Sequence, residues 1–329
     1  MTTIAPFAFP AGVLFFPVTA FDAAGEVDAE TTAAHIAAGV EAGAAGVFAA
    51  CGTGEFHALG TEEYGIVIAA ARTAVGGRVP LVGGVGGPLG HARACARLAA
   101  EHGAQALLVL PPYLVGGTQA GLVAYVRAIL DASDLPVILY HRGTAQFTLE
   151  SITELLADPR VVGIKDGVGD VALMQQFVLR ARDLGRDDVT FFNGLLTAEL
   201  SQAAYRAIGV DRYSSAVFAM APEIALGSYR AYAAHDEDGQ AHWLREFYGP
   251  LVRLRDTTPG YAVSLIKAGL RLGGADVGSV RAPLVDPSPE HEAELARLLA
   301  HGRALAAAAT AGATTGATAG SAAPVTAGS

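Results

Sequence analysis

From Leu14 onward, short apolar and β-branched runs alternate with longer Ala-rich stretches. The runs predict strands over residues 14–17, 46–50, 80–84, 106–110, 137–140, 161–165, 189–193 and 213–218. Between them the apolar positions recur at helical spacing, predicting helices over 29–42, 62–75, 92–102, 122–132, 149–157, 172–184 and 197–208. The strand runs are apolar almost throughout rather than alternating, as in strands covered by helices on both faces. Pro80 and Pro136 stand at strand starts, where no ladder donor is needed. Such alternation predicts a parallel sheet with crossover helices. About eight repeats in ~220 residues fit a closed (β/α)₈ barrel, an α/β TIM barrel, better than an open sheet.

Residues 222–305 continue helical and Ala-rich, punctuated by Pro250, Pro259 and the Pro283–Pro289 region. This stretch reads as a C-terminal helical extension of one unit spanning residues 1–305, not as a second domain. From Ala306 to Ser329 only Ala, Thr, Gly, Ser, one Pro and one Val occur. That composition has too little apolar surface to offset chain entropy, and predicts a disordered tail over 306–329.

Composition narrows the class. Hydrophobic residues make up 52% and charged residues 16%, as in a well-filled core. No apolar run approaches the ~18 residues of a membrane span. Met1 to Pro10 lacks the basic start and apolar core of a signal peptide, so the expected location is cytoplasmic. A formal charge of −10 argues against nucleic acid as a partner, because phosphate binding needs a basic face. Cys51 and Cys95 make neither a disulfide framework nor a zinc site, and His57, His91 and His102 stand at spacings unlike those of metal ligands. The glycines of Gly83–Gly84–Val85–Gly86–Gly87 fit no GxGxxG register, and neither GxSxG nor HExxH occurs. No metal and no cofactor is expected.

Chemistry in such a barrel belongs at the carboxyl ends of the strands. Lysine and arginine total 22, yet only Lys165 and Lys267 are lysines. Lys165 ends an apolar, β-branched run and is followed by Asp166–Gly167–Val168–Gly169–Asp170. Unlike Arg, a desolvated lysine can lose its proton, and it then becomes an amine nucleophile for a carbonyl. The same position also suits a lysine that packs its stem and snorkels. Tyr140 lies 25 residues earlier, one strand–helix unit away, so both side chains should enter one barrel mouth. Its phenol could move protons at the imine, or only pack beneath a loop. Gly52, Thr53 and Gly54 could converge backbone N–H groups and a hydroxyl on a carboxylate. Alternatively they form a tight turn, with Glu55 as a helix-start acid. Arg142 offers a fork for a carboxylate or a surface ion pair. Tyr113, Asn193, Gly194 and the Ser214–Ser215 pair complete the strand-end set, with Ser215 taken as the substrate contact.

Several segments, taken together, resemble the dihydrodipicolinate synthase and N-acetylneuraminate lyase superfamily of Schiff-base barrels. They are Gly52–Thr53–Gly54–Glu55–Phe56, Gly163–Ile164–Lys165–Asp166–Gly167–Val168–Gly169–Asp170, Phe192–Asn193–Gly194–Leu195, Tyr213–Ser214–Ser215–Ala216–Val217–Phe218 and Gly260–Tyr261–Ala262–Val263–Ser264. The likeness runs from Phe16 to about Leu299, and is greatest to the decarboxylating 5-dehydro-4-deoxyglucarate dehydratase branch. It implies Lys165 as the Schiff-base lysine, Tyr140 as the proton-transfer group and Thr53 as a hydroxyl at the substrate carboxylate. Tyr113 matches a tyrosine that reaches a neighbouring subunit's site in related synthases, implying a homo-oligomer, dimer or tetramer. The implied reaction is cofactor-free dehydration and decarboxylation of a small keto-aldarate, with Gly52, Gly54, Arg142, Asn193, Gly194 and Ser215 around the substrate. The alternative is an aldolase, lyase or synthase using the same imine on another 2-keto acid. Departures from the branch pattern fall at His141, Gly143 and Ala219, and are expected to touch the pocket rim.

Overall fold

The computed structural model describes residues 7–319 of the 329-residue chain. Eight parallel strands close in sequence order into a barrel. They are β1 (Leu14–Phe15), β2 (Gly46–Ala49), β3 (Leu81–Val85), β4 (Ala106–Val109), β5 (Val137–His141), β6 (Val161–Asp166), β7 (Thr190–Asn193) and β8 (Arg212–Ser215). Helices α1 (Ala29–Glu41), α2 (Thr61–Val75), α3 (Leu89–Glu101), α4 (Gln119–Leu130), α5 (Leu149–Leu155), α6 (Val171–Asp183) and α7 (Gln202–Ala207) pack outside. Each predicted strand has its counterpart within about three residues, the offset expected of hydrogen-bonded boundaries. The largest difference is at β8, which ends at Ser215 and turns at once into α8 (Val217–Met220).

Side-chain oxygens start several helices. Asp28 accepts from the Thr31 N–H at 2.9 Å, and Asp170 from the Leu173 N–H at 2.9 Å, each meeting an orphan donor of the first turn. Asp170, which closes the Lys165 segment, therefore serves as the cap of α6.

Inside the barrel, aromatic rings pack into a core, of which Phe16 lines the mouth. Phe48 on β2 lies between Phe9 and Phe16, with ring centroids 5.4 and 4.5 Å away, and Phe192 on β7 meets Phe9 edge-on at 5.7 Å. Gly163 on β6 makes this possible, because a Cβ there would lie 2.9 Å from the Phe192 ring.

Beyond α8 come α9 (Pro222–Ala233), α10 (Glu237–Trp243), α11 (Gly249–Arg255), α12 (Tyr261–Leu272) and α13 (Pro289–Ala319). The expected boundary at residue 305 falls inside α13, and Ala306 is buried. The first part of the expected tail thus continues α13 as far as Ala319. Alanine is the best helix former, so the stretch extends a helix already docked on α9 and α11. Residues 320–329 lie outside the described residues. Among the described residues, no helix is long and apolar enough to cross a membrane.

Candidate active site

A cavity of about 610 Å³ opens at the carboxyl ends of the strands, within the range of small-molecule sites. Lys165 stands in its floor, 4% exposed, with its amine 5.1 Å from the Phe16 ring centre and 4.2 Å from that of Tyr140. Tyr140 and Lys165 are direct partners in the β5–β6 register, so the two side chains enter from adjacent strands as their spacing predicts.

The Gly194 carbonyl joins them. It accepts from the Tyr140 hydroxyl at 2.8 Å and from Lys165 Nζ at 3.2 Å. A Cβ on Gly194 would lie 2.6 Å from Lys165 Cγ, so only glycine lets the amine and this carbonyl approach. Arg142 donates to the Tyr140 oxygen at 2.8 Å.

Burial pulls the Lys165 ammonium below its usual range, and Arg142 pushes the same way, while Tyr140 opposes both. The second cation follows directly after β5, which the sequence around Lys165 does not reveal. For Tyr140, burial alone would raise the phenol, but the charges and hydrogen bonds of Lys165 and Arg142 pull it below its usual range. An amine that sheds its proton therefore sits beside a phenol that yields one readily.

Gly52 and Thr53 line the same cavity, as do Tyr113, Arg142 and Gly194. Tyr113 has φ +31° and is followed by Leu114 at φ +63°, a tight tip whose Leu114 side chain is fully exposed. Burial pushes the Tyr113 phenol up to about 12.

Three expected substrate contacts do not reach the cavity. Gly54 is buried, where its carbonyl accepts from Thr19 Oγ1 at 2.7 Å and a Cβ would meet the Ala50 backbone at 3.2 Å. Asn193 is wholly buried, donating to the Ala198 carbonyl at 3.1 Å and accepting from the Leu195 N–H at 3.2 Å, so it braces the loop after β7. Ser215 is wholly buried as well, its Oγ accepting from the Phe218 N–H at 3.3 Å. Its neighbour Ser214 lines the cavity instead.

The pattern departures also divide. His141 does not touch the rim: it is buried behind the sheet against Phe147 and Phe177, its Nδ1 accepting from the Phe147 N–H at 3.0 Å. Burial pulls its imidazole below the usual range. Ala219 is buried on α8. Gly143 does line the cavity, as does Thr144, whose buried hydroxyl lacks a hydrogen-bond partner. Ser214 lines the cavity although only its neighbour was assigned to the substrate, and Phe16 and His57 are further lining residues that strand-end reasoning passed over. So are Gly260, Ala262, Val263 and Leu284 of the C-terminal extension, which roofs the mouth. Their signal was the Gly260–Ser264 segment, to which the sequence alone assigned no place.

Glu55 is no helix-start acid. It occupies the left-handed region at φ +56°, is wholly buried, and makes an ion pair at 2.8 Å with Lys267, equally buried on α12. Asp166, next to Lys165, points away from the mouth and accepts from Tyr205 and from the Val168 N–H at 2.8 Å. Among the described residues, no group of three or more His, Cys, Asp or Glu side chains is placed to hold a metal ion.

Residues 9–302 match the Dihydrodipicolinate synthetase family. A Streptomyces coelicolor protein named probable 5-dehydro-4-deoxyglucarate dehydratase 1 is 49% identical over 90% of this chain and 94% of its own length. A Streptomyces griseus protein named probable 5-dehydro-4-deoxyglucarate dehydratase is 50% identical over 90% of this chain and 93% of its own. In three dimensions the chain is similar to the dihydrodipicolinate synthase of Oceanobacillus iheyensis. The TM-score is 0.79 at 25% identity, covering 87% of this chain and 94% of that one. A fold of eight parallel strands, a buried lysine near the carboxyl end of β6 and a match over nearly the whole barrel lead to one assignment: this chain belongs to the Dihydrodipicolinate synthetase family.

Proposed function

We propose that the protein is a decarboxylating hydro-lyase that converts 5-dehydro-4-deoxyglucarate to 2,5-dioxopentanoate, water and carbon dioxide through an imine on Lys165. The observation that carries the chemistry is the buried Lys165 amine, 3.2 Å from the Gly194 carbonyl that also anchors Tyr140. Identity of 49 and 50% to relatives bearing that dehydratase name supports the choice of substrate.

The neutral amine attacks the ketone beside one carboxylate, and water leaves as the iminium forms. The iminium acidifies the neighbouring CH₂. Tyr140 takes a proton from that carbon and returns one to the departing β-hydroxyl, so a second water leaves and a conjugated iminium remains. Its nitrogen then accepts the electron pair of the bond to the far carboxylate, which departs as carbon dioxide. Protonation at carbon and hydrolysis release the keto aldehyde and restore the amine. A dianion becomes a monoanion and carbon dioxide, so each turnover consumes one proton.

Thr53 and the Gly52–Thr53 backbone hold the retained carboxylate, while Arg142 faces the far end. The exposed tip at Leu114 and Val115, beside Tyr113, is the surface through which a second copy would complete the mouth of a homo-oligomer.

The test is turnover of 5-dehydro-4-deoxyglucarate with mass analysis of the products, together with borohydride trapping. Carbon dioxide, 2,5-dioxopentanoate and adduct mass on the Lys165 peptide are expected. Release of pyruvate would make the enzyme an aldolase, and adduct on Lys267 would overturn the site.

A further inference from the structure

We infer that Glu55 and Lys267 are positioning residues: their buried ion pair sets the Gly52–Thr53 loop in the shape that receives the carboxylate of a 2-keto acid. The inference rests on the proposal that this loop binds that carboxylate.

The loop is held against its own preferences. Ala50 at φ +49° and Glu55 at φ +56° flank Cys51–Gly54, and both are non-glycine residues in the left-handed region. Such conformations persist only where the surroundings over-determine them. Two kinds of tie contribute: the Thr19 hydroxyl donates to the Gly54 carbonyl at 2.7 Å, and the Glu55 and Phe56 N–H groups donate to the Gly52 and Cys51 carbonyls at 3.1 Å each.

The third kind of tie is the Glu55 side chain, which reaches the C-terminal extension. One carboxylate oxygen is 2.8 Å from Lys267 Nζ, and the other accepts from the Arg281 N–H at 2.8 Å. Lys267 in turn donates to the Ser279 carbonyl at 2.9 Å and lies 4.0 Å from the Phe21 ring centre. Both charged groups are wholly withdrawn from water.

A buried pair is a poor source of stability, because apolar residues of similar volume serve as well or better. What a directional pair adds is one defined arrangement. Here it joins the loop at one wall of the cavity to α12, whose Ala262 and Val263 form another wall. Loop and roof are thereby held in a single arrangement around the bound acid.

A carboxylate held equally in ground and transition states acts on KM and leaves kcat nearly alone. The test uses pyruvate, the smallest acid with the same keto-carboxylate unit, and borohydride trapping at Lys165. The variants are the double replacement E55M/K267M, which removes both charges together, and E55D, which withdraws the carboxylate by one methylene.

The double variant should fold. Its half-saturating pyruvate concentration should rise about tenfold or more, the equivalent of one lost hydrogen bond to a charged group. Label should still reach Lys165 at saturation, and amide exchange over residues 50–58 should speed up. E55D should shift the same readouts in the same direction by less, and it decides the matter if the double variant does not fold. Wild-type half-saturation and unchanged exchange in a folded variant would overturn the positioning role alone. Failure of the wild-type protein itself to trap pyruvate at Lys165 would instead overturn the Schiff-base reading, and this inference with it.

Discussion

Replacing Tyr140 by Phe deletes one oxygen that makes two hydrogen bonds of 2.8 Å, donating to the Gly194 carbonyl and accepting from Arg142. The ring stays, and with it the contact to the Lys165 amine at 4.2 Å. Gly194 keeps Lys165 as a donor at 3.2 Å, and the half-buried Arg142 can turn to water. The stability cost should therefore fall at the lower end of the ~1–3 kcal/mol range for a broken buried hydrogen bond. The effect on chemistry is larger. A positioned acid/base group contributes ~10²–10⁴-fold, so kcat should drop by at least about two orders of magnitude. Imine formation should move the other way. Burial lowers Lys165 first, and Tyr140 opposes that shift, so removing the phenol oxygen lowers the ammonium further. More neutral amine is then present at a given pH, and the midpoint of borohydride trapping shifts to more acidic pH. The assay is a paired measurement of trapping and product formation from pH 5 to 9. Near-normal turnover in a folded Phe variant would refute the proton-transfer role and redirect attention to Tyr113. A trapping profile shifted to alkaline pH would refute the electrostatic account of Lys165.

Gly194→Ala should abolish trapping while leaving the fold intact, since its Cβ would sit 2.6 Å from Lys165 Cγ; normal trapping would mean the loop after β7 moves freely. In the wild-type enzyme, kcat/KM should rise with pH through a midpoint below the usual lysine value of 10.5, because the reactive form is the neutral amine; a rate that falls over that limb would exclude amine attack. His141→Asn should leave kcat and KM within about twofold, as His141 faces Phe147 and Phe177 behind the sheet, and a changed substrate preference would contradict that placement. Buried His35, beside Phe15, is pulled down to about 4 by desolvation, so the unfolded chain binds its proton first as pH falls below 6.5. It should account for about 3 kcal/mol of stability lost between those pH values, and His35→Leu should flatten that limb of the melting curve.

How far the sequence carries can be judged residue by residue. The barrel was legible because strands covered on both faces are written as continuous apolar runs, and strand–helix units recur at a near-constant length. The Tyr140–Lys165 juxtaposition was legible for the same reason: parallel neighbours one unit apart meet in register. The unusual scarcity of lysine marked which strand end carried the amine.

What failed was the choice between adjacent residues. Side chains of a strand alternate between its faces, so an error of one position reverses inside and outside. Ser214 lines the cavity where Ser215 was expected, Gly194 does so where Asn193 does not, and His141 points outward between two residues that point in. An apolar run on a doubly covered strand carries no alternation from which to read that parity. Tertiary structure also decided what no spacing encodes. Arg142 lies near enough to help depress Lys165, the C-terminal helix α12 roofs the mouth, and Glu55 meets Lys267 across most of the chain length. Contacts between distant segments depend on how helices pack onto a closed sheet, and local periodicity holds no record of that packing.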